Sequence, residues 1–418
     1  MITGAETDSG VRGSEPAGAS TDPPGPRSHT GPDDWQRRAA RAFGFCLLAF
    51  LGLRLAMILI GVIGVALFPP LAAVGVPGWR AGPPEPGWQY AFAAWERFDA
   101  LWFLRIADDG YRLGDGSAAF FPLYPLAIRT VSFALGGAPL ASATLVSNAA
   151  FLVALYVTYV LTTSELSERI ARTTVLLMCL FPASHFFLMP YSESVFLLLA
   201  VTAFWAARRR RWTSAGAAGA LAALTRSLGV VLAPALIVEG LQQRVEHGSK
   251  VWPAAAAAVA TVVGLGVYLG YWAVRAGDWF APITQQANWE RTLSFPPATL
   301  WFGTMDAFRH LDEANGGYWL LDWLILVPML AASVYAAVRL RPSYGVYLWG
   351  GLLLPLTFVF EGRPLMSMPR FVLPLFPAFW GLSLALDRLR VPRVVALAAG
   401  AIGLGILSLL TVNWYYIF

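Results

Sequence analysis

Phe43-Gly-Phe-Cys-Leu-Leu-Ala-Phe-Leu-Gly-Leu-Arg-Leu-Ala-Met-Ile-Leu-Ile-Gly-Val-Ile-Gly-Val-Ala-Leu-Phe68 is the stretch that decides the fold class. Only Arg54 interrupts its apolar character. It is long enough to cross about 30 Å of hydrocarbon as a helix, and too long and too far from the N-terminus for a cleavable signal peptide. We therefore read it as a signal anchor. Comparable runs recur down a chain of 418 residues that is 57% apolar and 13% charged. A soluble domain cannot hide that much apolar surface, whereas lipid can. Backbone groups in lipid must bond internally, and alternating strand patterns are absent, so the expected class is an all-α polytopic membrane protein.

Outward from that anchor, residues 1–40 are rich in Gly, Pro, Ser, Thr and Asp and are expected to form a disordered cytoplasmic tail. Residues 41–418 are expected to form the transmembrane domain. Spans are expected at about 43–67, 140–162, 173–189, 191–207, 251–274, 317–338, 344–360, 370–386 and 394–413. Basic clusters at Arg37/Arg38/Arg41, Arg169/Arg172, Arg208–Arg211, Arg244/Lys250, Arg339/Arg341 and Arg388/Arg390/Arg393 mark cytoplasmic ends. Parity then requires that Phe120–Leu135, with Pro122, Pro125 and Arg129, stays interfacial or re-entrant. It also requires that 213–240 enters and returns as two short helices broken near Thr225–Gly229. The count becomes eleven passes, and residues 69–139, 275–316, the Pro190–Ser194 turn and the Glu361–Arg370 turn fall outside. The net charge of +5 is almost all arginine, which with abundant Ala and Gly suggests a GC-rich bacterial source. The basic loops report topology rather than a nucleic-acid partner. Cys46 and Cys179 lie in apolar spans, which excludes a disulfide framework.

The outer segments hold the chemistry-bearing residues. Wound as a helix from Phe92 to Tyr111, about 100° per residue, the chain gathers Phe92, Trp95, Trp102, Phe103 and Ile106 around Asp99. A carboxylate among aromatic walls suits a general base, and equally suits an interfacial helix whose Asp snorkels or pairs with Arg105. Ala119-Phe-Phe-Pro-Leu-Tyr-Pro125 breaks a helix and reads as an aromatic anchor at the membrane edge. In Pro190-Tyr-Ser-Glu-Ser194, Glu193 is either a helix N-terminal dipole partner or an acid facing the same cavity as Asp99. Arg226, in Thr225-Arg-Ser-Leu-Gly229, is costly in an apolar run unless paired or wet, and an anionic headgroup or phosphate is its natural partner. Arg370, in Met368-Pro-Arg-Phe-Val-Leu-Pro374, either binds phosphate or snorkels. Loop 275–316, with Trp279, Gln285, Gln286, Trp289, Arg291 and Trp301, suits a sugar or headgroup, or an interfacial belt. Walker, GxGxxG, HExxH and Asp-x-Asp patterns are missing, which argues against a metal-bound nucleotide donor, and the four histidines are too dispersed for a metal cluster; no cofactor is expected.

Phe98-Asp-Ala-Leu-Trp-Phe103 with Gly110-Tyr111, then 119–125, Phe181-Pro-Ala183, Tyr191-Ser-Glu-Ser194, Thr225-Arg-Ser-x-Gly229 and Arg370-Phe371, in this order, resemble the phosphatidylinositol-glycan class V (GPI mannosyltransferase 2-like) family, bacterial branch. That family belongs to the GT-C superfamily. The resemblance spans roughly 90–380 and implies inverting transfer of mannose from a polyprenyl-phosphate donor to a lipid or glycan acceptor at the outer or lumenal face. It implies Asp99 as base, Glu193 as the acid of the second outer turn, and Arg226 and Arg370 on the donor phosphate. Trp95, Trp102, Tyr124, Tyr191, Gln286 and Trp289 are then expected to contact substrate. The family often has Trp before the key Asp, where this chain has Phe98. A bacterial host implies the cell membrane, and a eukaryotic one the ER membrane.

A transporter or lipid flippase is the competing class, since Arg226 in a broken hairpin also suits a transport pathway. No inverted repeat of such segments is visible. The orientation is checked with an impermeant thiol reagent on intact cells: Asp108→Cys should label and Arg210→Cys should not, and labelling at Arg210→Cys overturns it.

Overall fold

The structure is a computed structural model that describes residues 32–81, 90–313 and 316–416. The chain divides into two compact units, 1–41 and 42–418. Most of the expected tail lies outside the described residues, but its last part is helical: the first helix runs Pro32–Leu67 and so begins before residue 40. Pro at its first position suits a helix start, because that N–H has no intrahelical partner in any case.

Among the described residues, six helices are long and apolar enough to cross a membrane: Trp35–Leu67, Pro139–Glu165, Ser227–His247, Trp252–Ala276, Gly317–Arg339 and Arg393–Val412. Five shorter helices, Glu168–Leu180, Glu193–Arg208, Trp212–Thr225, Pro342–Leu356 and Phe376–Arg388, occupy the other expected span positions. Large apolar side chains such as Leu48, Leu55, Val263, Val274 and Ile402 are exposed on the long helices, where lipid is their solvent. The fold is an all-α polytopic membrane fold.

Proline and glycine set where the shorter helices stop. The span expected at 173–189 ends at Leu180, and residues 181–192 continue as a buried irregular segment with one short 3₁₀ turn, Ser184–Phe187. Pro182 and Pro190 cannot donate to a helical ladder, which explains the interruption. Likewise the span expected at 370–386 is a short helix, Met368–Phe371, a break at Pro374, and then Phe376–Arg388. The span expected at 344–360 is helical only to Leu356. Residues Phe358–Phe360 instead pair antiparallel with Arg291–Leu293, with Arg291 opposite Phe360. In the Phe120–Leu135 stretch the helix is Leu123–Ala134, 12 residues long, so roughly 18 Å and too short to cross.

The 213–240 segment is two helices, and the break falls at Arg226, whose backbone is extended (φ −156°, ψ 149°). Trp212–Thr225 then packs on Trp252–Ala276 through small residues. A Cβ on Gly219 would lie 2.1 Å from Thr261 Oγ1, and one on Gly264 would lie 2.3 Å from the Ala220 carbonyl oxygen. Helices in lipid gain little from apolar burial against each other, so close approach through small residues supplies the contact.

Gly264→Val forces that carbonyl aside and should destabilise the protein by about 1–3 kcal/mol or more, read as a lower midpoint of thermal unfolding in detergent. Gly266→Ala, on the same helix with nothing within 4 Å of its added Cβ, is the matched control and should be neutral or slightly stabilising.

Candidate active site

Helix Asp99–Asp109 begins one residue after a turn that a side chain rarely tolerates: Phe98 has φ 53°. Its ring packs edge-on against Trp414 and Tyr416 at 5.5 and 5.2 Å, which holds the strained backbone in place. The neighbouring Arg97 is buried and donates from Nε to the Val412 carbonyl at 2.9 Å. Because the helix starts at Asp99, Phe92 and Trp95 are not on its face, and the continuous aromatic face expected from Phe92 onwards is corrected. Trp95 sits in the main apolar core near His185 and lines neither cavity described here.

As the first helical residue, Asp99 has a backbone N–H with no intrahelical partner, and Tyr191 Oη accepts it at 3.2 Å. Tyr191 Oη itself donates to the Arg97 carbonyl at 3.1 Å. Arg370 stacks on the Tyr191 ring at 4.6 Å and donates from Nη1 to Asp99 Oδ2 and from Nε to Glu193 Oε1. Arg226 Nη1 donates to the same Glu193 oxygen at 2.6 Å and to Ser192 Oγ at 3.3 Å. The structure thus brings Asp99, Tyr191, Glu193, Arg226 and Arg370 together from four separate segments.

A cavity of about 410 Å³ opens over this cluster. Asp99, Arg226, Arg370, Gln286, Trp289 and Arg291 are on its wall, with Phe120, Phe121 and Phe371 beside them. Glu193 is fully buried and does not line it, so the expectation that it faces the same cavity as Asp99 is corrected. It lies behind the two arginines as their counter-charge, because a buried guanidinium without a partner is costly. Tyr124 is also buried off the wall. Its hydroxyl bonds Ser147 Oγ at 2.7 Å, and Ser147 Oγ donates to the Tyr191 carbonyl at 2.9 Å. Trp102 stacks on Phe120 at 5.4 Å and meets Trp289 edge-on at 5.2 Å.

Arg291, read from the sequence only as part of the sugar or headgroup loop, enters the wall, as does Tyr416, to which the sequence reading gave no role. Arg291 makes no ion pair among the described residues and only leans on the Phe371 ring at 5.7 Å. Burial pushes its guanidinium below the ordinary arginine value, with Asp99 opposing. Two carboxylates therefore meet three guanidiniums, and the cluster holds one positive charge in excess. Positive backbone φ recurs here: Phe98 precedes Asp99, Glu290 (51°) precedes Arg291, and Ser367 (68°) opens the turn of Arg370. Strained backbone of this kind persists where surrounding packing fixes it, and it fixes side-chain direction in turn. Gly229 serves the same end, since a Cβ there would lie 2.3–2.5 Å from the Ala222–Ala223 backbone, against which the Arg226 turn folds.

The arrangement is one carboxylate at an open wall among guanidiniums, in a membrane-embedded chain. The family model described as Mannosyltransferase (PIG-V) matches residues 85–252. On that match, residues 85–252 resemble a mannosyltransferase family. The matched region contains Asp99, Glu193 and Arg226, while Arg291 and Arg370 lie beyond it. No curated protein matches the sequence. Among solved structures, ArnT from Cupriavidus metallidurans bound to undecaprenyl phosphate aligns over 89% of this chain and 77% of its own, at 14% identity and TM-score 0.48. The Archaeoglobus fulgidus oligosaccharyltransferase in complex with Zn and sulfate aligns over 87% of this chain at 14% identity and TM-score 0.41. This chain covers 53% of that archaeal enzyme.

Glu193→Gln leaves Arg226 and Arg370 without a compensating charge and should cost roughly 3–5 kcal/mol of stability, read by thermal unfolding. Asp99→Asn, at the cavity wall, should leave the unfolding midpoint nearly unchanged, and an equal loss in both variants overturns the assignment of Glu193 as buried counter-charge.

Proposed function

We propose that the chain transfers a mannosyl group, with inversion, from a polyprenyl-phosphate donor to a lipid or glycolipid acceptor at the non-cytoplasmic membrane surface. The observation that supports this most is Asp99 and Arg291 on one cavity wall, among the described residues the first a carboxylate with one oxygen uncommitted and the second a guanidinium without an ion pair. Asp99 Oδ2 is held by Arg370, and Oδ1 has no hydrogen-bond partner among the described residues. That oxygen takes the proton of the acceptor hydroxyl as its oxygen attacks C1 of the donor sugar. The C1–O bond to phosphate breaks on the opposite face, and the polyprenyl phosphate leaves with the electron pair. Guanidiniums are the groups that stabilise such a departing phosphate, because their planar forks match its oxygens and retain their charge.

Arg226 and Arg370 already neutralise Glu193, so their pull on the phosphate is shared. Arg291 carries the excess charge and is the principal phosphate ligand, with Arg226 and Arg370 beside it. Glu193 acts as a positioning residue for both. The apolar part of the wall, Val230, Leu265, Leu269 and Leu354, comes from spanning helices and suits the first isoprene units.

The test is transfer of labelled mannose from polyprenyl-phosphate-mannose to a membrane lipid extract by purified protein in vesicles. Asp99→Asn should lower kcat by about 10²–10⁴ with donor affinity nearly kept, since Asn cannot take the proton. Arg291→Ala should raise donor KM by roughly tenfold to a hundredfold, the worth of a charge-assisted contact of about 1.5–3 kcal/mol. Movement of lipid across the vesicle without any transfer would identify a flippase instead.

A further inference from the structure

A second cavity, of about 170 Å³, lies against the first, and Asp99, Trp289 and Tyr416 line both. Resting on the proposed transfer reaction, we infer that this smaller cavity is the acceptor subsite and that it takes an uncharged terminal sugar or polyol. The two chambers differ in chemistry. Arg226, Arg291 and Arg370 line the larger, whereas the smaller is walled by Val74, Pro77, Trp102, Trp289 and Tyr416 and carries no charge except Asp99 among the described residues. An anionic group placed there would meet the Asp99 carboxylate with no cation on the wall, and desolvation without a partner disfavours it. A sugar ring needs neither, because its C–H face packs on indole and phenol rings while its hydroxyls are shared with a few polar groups.

The size points the same way. Pockets of about 300–1,000 Å³ take drug-sized ligands, so this one holds a single ring rather than a whole glycolipid. Its walls are fixed by local and long-range bonds. The Val76–Trp79 turn closes on itself through two backbone bonds of 3.0 Å, Trp79 Nε1 donates to Glu96 at 2.9 Å, and Leu71 N donates to the Asn413 carbonyl at 3.0 Å. Tyr416 reaches the cavity because Trp414 takes a positive φ of 66° and stacks under Arg97 at 4.5 Å. The position of Asp99 between the chambers is what the reaction requires. An acceptor hydroxyl enters from the small side, gives its proton to Asp99, and meets a sugar C1 whose phosphate lies on the arginine side.

The experiment compares octyl α-mannoside with its 6-phosphate as acceptors for polyprenyl-phosphate-mannose. Wild-type protein should use the neutral probe and reject the phosphorylated one. Val74→Trp fills the small cavity from an exposed loop position that lines only that cavity; it should raise acceptor KM on the order of tenfold or more with donor KM changed by about twofold or less. Preference for the phosphorylated probe, or a shift in donor KM alone, overturns the inference while the transferase reading stands. A wild-type protein that turns over no donor overturns both.

Discussion

The Arg370 guanidinium, held between Asp99 and Glu193, is the contact on which the site depends. One planar cation bonds a carboxylate at the open wall and another that is fully buried, and it rests on the Tyr191 ring. Each carboxylate alone would be expensive in a membrane interior, and so would each arginine. Together they form a chain of charge from the buried Glu193 to the cavity surface. Because the pairs are mutual, the cluster can be embedded among apolar helices at tolerable cost, and it leaves one guanidinium, Arg291, without an ion pair among the described residues.

That cluster needs irregular backbone at the depth of spanning helices. Lipid forbids exposed irregular backbone, so the breaks must be sealed by protein. Pro182, Pro190 and Pro374 interrupt the helices, and the buried aromatic core around Phe186, Phe187 and Tyr191 covers the segment between the first two. The extended residue Arg226 is covered by the turn back over Ala222 and Ala223 that only Gly229 allows. A second ionic cluster, in which buried Glu239 accepts from Arg208, Gln243, Arg341 and Ser343, ties other helices together, and both Glu239 oxygens are bonded. The contrast is informative. The cluster whose carboxylate is bonded at both oxygens is a clasp, and the one with an uncommitted cation and carboxylate oxygen is the proposed site.

The membrane class, the positions of the spans and the broken 213–240 hairpin were legible in the sequence, because hydropathy and proline are local properties. So were Asp99, Arg226 and Arg370, since a charge in an apolar context is conspicuous in one dimension. The helical wheel through Phe92 and Trp95 failed because the helix starts only at Asp99. Nothing in composition signals that Phe98 adopts a positive φ. The ends of the shorter spans were also misjudged where apolar residues continue past a proline into buried irregular backbone.

The sequence by itself determined the solvent, the helices and the residue types able to do the chemistry, each fixed by transfer energies and backbone geometry over a few neighbouring residues. Only the tertiary structure decided their partners. It set Glu193 behind the arginines, placed Tyr124 off the wall, and carried Arg291 into the cavity through strand pairing with Phe360. It also brought Tyr416 back from the C-terminal helix to the side of Asp99. Which carboxylate neutralises which guanidinium, and which cation is left over, is a matter of distances between segments far apart in the chain. Those distances are set by helix packing through small residues, and no local pattern records them.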